Sequence, residues 1–181
     1  TNIDKLLAAE AKIVELEADQ AATEEANKFK TDHVVALALN LETVTINNET
    51  SVNEALTAYE GLSDAAKDKL TAEKSLLDSL LVKIGELKQE AADQAAADEV
   101  IGSINELPSL DELTLEDKEA VESARIAYET LTETQQALVT NIDKLLAAEA
   151  KIVELEADQA ATEEANKFKT DHVVALALNL E

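Results

Sequence analysis

TNIDKLLAAEAKIVELEADQAATEEANKFKTDHVVALALNLE runs from Thr1 to Glu42, and the same stretch returns without a change from Thr140 to Glu181. Identity over that length does not arise by chance between unrelated stretches. The chain reads as a window on a tandem array whose period is the segment 1–139. The repeated stretch contains neither Gly nor Pro. It predicts a long helix that serves twice.

The period divides again. VNEALTAYEGLS (Val52–Ser63) matches VESARIAYETLT (Val121–Thr132). KLTAEKSLLDSLLVKIGEL (Lys69–Leu87) matches ALVTNIDKLLAAEAKIVEL (Ala137–Leu155), and DHVVALALNL at Asp32 matches DEVIGSINEL at Asp98. Two diverged modules of about 70 residues are the simplest reading. Both keep Val52/Val121, Ala55/Ala124, Tyr59/Tyr128 and Leu62/Leu131, spaced 3, 4, 3 as on one helix face. Both also keep Leu70/Leu138, Leu77/Leu145, Ile84/Ile152 and Leu87/Leu155, the seam of a helical bundle.

Breakers are scarce. Glycine stands only at positions 61, 85 and 102 and proline only at 108. Thr114–Asp117, Thr132–Gln135 and Thr140–Asp143 have capping-box spacing and mark helix starts. The spacing predicts a helix over 71–107, then an extended ELTL after Pro108. Further helices are predicted up to residues 128–130, over 132–139, and from Asn141 onward. The Ala-rich acidic stretches EADQAATEEAN (17–27) and Gln94–Ala97 read as helical bridges with little apolar surface.

The expected fold is all-α: tandem three-helix, spectrin-like modules joined by long shared helices into an elongated rod. The expected domains are 1–31, the last helix of a preceding module; 32–97, module 1; 98–170, module 2; and 171–181, the start of the next.

Composition narrows the function. With 39 acidic and 15 basic residues the net charge is −24. Such a chain repels phosphate backbones and anionic lipid surfaces. No nucleic-acid partner and no membrane insertion are expected. The longest apolar candidate is VVALALNL (34–41). It falls far short of the roughly 20 residues that a membrane span needs. An apolar fraction of 46% is too high for a disordered acidic tail. Cysteine is absent, which excludes a disulfide-held domain and a Cys-based metal site.

Chemistry-bearing residues are few. His33 and His172 are the only histidines, and the sequence match puts Glu99 in the other half, so solvated surface is the reading. Asp111, Glu112, Glu116 and Asp117 lack the alternating ligands and central Gly of a calcium loop. Loop acidity and charge at a helix N-terminus account for them. Tyr59 and Tyr128 read as core with the hydroxyl at the bundle edge. Phe29 and Phe168 read as lining a module junction. Asn48 in NET fits a glycosylation acceptor, but more simply it or Asn47 caps the helix at Thr50. There is no phosphate loop, nucleophile elbow or HExxH. No catalytic, cofactor-binding or metal residue is assigned, and no enzyme is expected.

SINELPSLDELTLEDKEAVESARIAYETLTETQQALVTNIDKLLAAEAKI (Ser103–Ile152) resembles repeat modules of large surface proteins of Gram-positive bacteria. The resemblance rests on Leu107–Pro108, the acidic loop, LTLEDK (113–118), Ala124–Leu131 and Thr132–Asn141. The first module keeps the frame with Glu42 in place of Pro108 and KDKLTAE in place of QQALVTN. The resemblance implies an extracellular spacer at the cell wall, beside adhesive, carbohydrate-active or anchoring domains, and assigns no catalytic residue. A non-enzymatic stalk is the leading expectation, monomeric and with neighbouring repeats as its partners. The alternative is a helical-bundle binding module for a host or matrix protein.

Overall fold

A computed structural model describes the backbone of residues 1–178 and side chains through Val173. The expected next module (171–181) lies partly outside the described residues. The chain is all-α, with no strand among the described residues. The helices are α1 (Asn2–Asp32), α2 (Val34–Leu37), α3 (Glu49–Glu60), α4 (Asp64–Asp68), α5 (Thr71–Glu106), α6 (Lys118–Thr130), α7 (Glu133–Leu138) and α8 (Ile142–Leu178). Single 3-10 turns at Ile46–Asn48 and Leu115–Asp117 lead into α3 and α6.

Local chemistry explains the starts. The Asp117 carboxylate accepts from the Thr114 N–H at 2.8 Å and its hydroxyl at 2.9 Å. Asn48 does the same for Thr45 through Oδ1, at 2.8 and 2.9 Å. The Asn48 side chain therefore turns back to Thr45 rather than capping forward. Ser63 caps α4 and Thr132 caps α7 through their hydroxyls. Gly85 and Gly102 sit inside α5 without ending it. Two isolated glycines cost only about 1 kcal/mol each.

The chain divides into two compact units, Thr1–Glu90 and Ala91–Glu181. The first core joins Ala22, Ala26 and Phe29 of α1 and Ala36 of α2 to Val52 and Ala55 of α3. Ala66 of α4, Leu70, and Leu77, Leu80 and Ile84 of α5 complete it. The second joins Ala97, Val100 and Ile104 of α5 to Leu107, Leu113, Val121 and Ala124, then Val139, Leu145, Ala148 and Ile152. Helix α5 thus serves both cores, the first with its N-terminal half and the second with its C-terminal half.

Both bridge stretches are helical, and each also lends alanines to a core. Ala22 and Ala26 are buried in the first unit, and Ala97 is fully buried in the second. Alanine is neutral to a pattern search, but its small side chain lets another element approach closely. The sequence match of Asp32 with Asp98 also shifts. Buried positions fall at 22, 26, 29 and 36 in the first unit and at 93, 97, 100, 104 and 107 in the second. The registers coincide when half-buried His33 takes the place of Ile104, not of Glu99. Likewise Leu70 is matched by buried Val139, with Leu138 only half-buried.

Candidate functional site

His33, Glu112, Asp117 and both tyrosines find ordinary structural roles. His33 is half-buried at the end of α1, its ring 4.9 Å from that of Phe29. Glu112 accepts from the Ser109 hydroxyl at 2.8 Å, and Asp117 is held by Thr114. Among the described residues no three His, Cys, Asp or Glu side chains converge to hold a metal ion. Tyr59 and Tyr128 are half-buried and pack against the first and second cores. The Tyr59 ring meets Phe29 edge-on at 6.1 Å, with Lys74 5.7 Å from its centroid, while Arg125 lies 5.6 Å from the Tyr128 centroid. No helix among the described residues is long and apolar enough to cross a membrane.

The informative surface is the repeated helix itself. Leu145 and Ala148 in α8 are 0% and 1% exposed, whereas Leu6, the same residue of the repeat as Leu145, is 59% exposed in α1. The far half behaves oppositely: Phe29 is 3% exposed and Phe168 is 62% exposed. One amphipathic sequence therefore carries two faces. Its N-terminal half is covered by elements that precede it, and its C-terminal half by elements that follow. Local structure responds as well. The helix breaks at His33 in the first copy, where Ala36 docks into a core, but runs unbroken through His172 in the second.

Polar groups frame the covered stripe. Asn141 Nδ2 donates to the Ile101 carbonyl and to Asn105 Oδ1, each at 3.0 Å. Lys144 Nζ donates to the carbonyls of Asn105 at 2.9 Å and Leu107 at 2.7 Å. It thereby answers the unpaired carbonyls at the end of α5. Arg125 grips Glu149 with two bonds, Nε to Oε1 at 2.5 Å and Nη2 to Oε2 at 2.6 Å, the bidentate geometry that suits a guanidinium. The hydrogen bond to Glu149 raises the Arg125 pKa. Lys118 pairs with Glu156, which raises the Lys118 pKa. The sequence reading passed over these residues; their positions flanking an apolar seam, where charges set pairing, were the available signal.

Compared with known proteins, this chain matches no family model, no curated protein and no solved structure.

Proposed function

We propose that the chain is a segment of a non-enzymatic stalk in a repetitive surface protein of a Gram-positive bacterium. The stalk consists of tandem three-helix modules on shared helices and holds a functional domain away from the cell wall. One observation carries the reading: the second copy of the repeated stretch contributes Leu145, Ala148 and Ile152 to one core, and its first copy contributes Ala22, Ala26 and Phe29 to another. A helix that closes one unit and opens the next allows units to be added without any new surface. The net charge of −24 supports it, since like charge keeps neighbouring stalks apart.

Small-angle scattering on chains carrying one and two further copies of the segment 1–139 tests the proposal. A stalk gains an equal increment of maximum dimension per added copy. The present chain is expected to exceed the radius of gyration of about 16 Å that a compact globule of its length has. Growth that falls off as in a compact particle would overturn the proposal.

A second reading, a binding module for a host or matrix protein, draws on one groove. Exposed Ile126 and Val153 line it together with Arg125 and Glu149. The matching residues of the first unit are Thr57 and Gly85, so the apolar pair belongs to the second unit alone.

A further inference from the structure

The seam between α3 and α5 in the first unit and the seam between α6 and α8 in the second are built alike but carry different polar residues. In the first, Lys88 Nζ donates to both Glu49 carboxylate oxygens at 2.6 Å. In the second, Lys118 pairs with Glu156. The matches that set Val52 against Val121 and Leu77 against Leu145 also set Glu49 against Lys118 and Lys88 against Glu156. Acid and base have therefore changed helices. About two turns along each helix, Arg125 grips Glu149 with two bonds. The first unit has Leu56 and Leu81 at those positions, both packed against its core.

We propose that these pairs form a partner code: the α6 surface accepts the helix that carries Glu149 and Glu156 and refuses the N-terminal half of α5, while the α3 surface makes the reverse choice. Exchanging the two helices would set Glu156 against Glu49 and Lys88 against Lys118. It would also set Glu149 against Leu56 and Arg125 against Leu81. Each wrong pairing thus meets one like-charge contact and one charge without a partner, and specificity is a difference between right and wrong pairings. The apolar seam cannot make this choice, because Leu77 and Ile84 match Leu145 and Ile152 residue for residue. Both lysine–glutamate pairs stand partly open to solvent, where an ion pair adds little stability. Their use lies in refusing the wrong neighbour. Arg125 and Glu149 are more enclosed, so stranding either of them costs more. A chain that holds both kinds of seam needs such a choice if each helix is to reach its own partner. The inference concerns pairing inside each unit and stands whether or not the chain is a stalk.

The test exchanges the code within the second unit of the full chain. Tyr59→Phe leaves Tyr128 as the sole tyrosine in a chain without tryptophan, so its fluorescence follows the second unit during denaturant unfolding. In that background one variant carries Lys118→Glu with Arg125→Leu, a second carries Glu149→Leu with Glu156→Lys, and a third carries all four. The two half-exchanges are expected to lower the denaturant midpoint, and the full exchange to lie closer to the parent than to either of them. The loss caused by Lys118→Glu alone is expected to shrink in about 1 M salt, which screens the like-charge contact with Glu156. If a half-exchange unfolds the unit outright, a cooperative transition in the full exchange supports the code and its absence overturns it. The proposal also fails if either half-exchange keeps the parent midpoint, or if the two losses simply add in the full exchange. A Lys118→Glu loss that salt leaves untouched overturns it too, since the choice would then not rest on charge.

Discussion

Gln135 donates from Nε2 to Asp93 Oδ1 at 2.8 Å, at the two positions that hold Ala66 and Ala22 in the first unit. Two buried alanines in one unit thus correspond to a hydrogen-bonded polar pair in the other, with Asp93 9% exposed. Removing one member of such a pair strands the other. Asp93→Ala is expected to destabilise the second unit by about 1–3 kcal/mol, whereas Asp93→Ala with Gln135→Ala, which recreates the alanine pair, recovers more than half of that loss. A double-mutant cycle from denaturant unfolding reads the coupling. A coupling indistinguishable from zero would mean that the pair is incidental.

The duplicated helix permits one substitution to be compared in two settings. Leu145→Ala opens a cavity in a filled core and is expected to cost about 2–5 kcal/mol. Leu6→Ala, at the identical position of the repeat, removes an exposed side chain and should stay within about 0.5 kcal/mol. Phe29 and Phe168 reverse the order: Phe29→Ala costs about 3–5 kcal/mol and Phe168→Ala almost nothing. Thermal unfolding of the four single variants checks this. Equal losses within either pair would contradict the burial pattern.

Acid sensitivity should concentrate in the first unit. The Ser63 hydroxyl at 2.5 Å and the Ser63 N–H at 3.1 Å hold the Glu25 pKa below its ordinary 4.5. Lys30, 2.7 Å away, does the same for Glu73. A carboxyl whose pKa is lower folded than unfolded lets the unfolded state bind more protons between the two values. Its stabilisation is therefore present above about pH 4.5 and disappears as pH falls through the folded value. Glu25→Gln with Glu73→Gln should be less stable than the parent at neutral pH, and the gap should close on acidification. Melting midpoints at a series of pH values test it. A gap that persists at low pH would assign the loss to packing.

Gly85 and Gly102 offer the converse test. Both lie in α5, and a Cβ built at either meets no atom within 4 Å. Alanine at each is expected to stabilise by about 0.5–1 kcal/mol, because the unfolded chain loses freedom and the helix gains nothing awkward. Denaturant midpoints measure the gain. A loss at either site would show that the glycine is needed for a close approach in solution.

Much of this architecture is written in local chemistry. The 3-4-3 spacing of Val52, Ala55, Tyr59 and Leu62, kept again from Val121 to Leu131, marks a helix face because neighbours three and four apart share a side. Thr132 with Gln135 announces α7, and the lack of Pro between Thr71 and Leu107 announces α5, because caps and breakers act within one turn. The seam residues Leu145, Ala148 and Ile152 were legible by the same route, because steps of three and four put them on one helix face. What the sequence could not decide is non-local. Alanine at 22, 26 and 97 looks equally suited to a bridge or a core, and only the approach of another element buries it. The register that sets His33 opposite Ile104 depends on where the chain turns, not on which letters match. Most plainly, Leu6 and Leu145 stand at the same place in two identical stretches, and nothing within those stretches distinguishes them. One is exposed and the other is buried because α5 and α6 precede the second copy and cover it. Burial belongs to a pair of surfaces, and a sequence specifies only one member of the pair at a time.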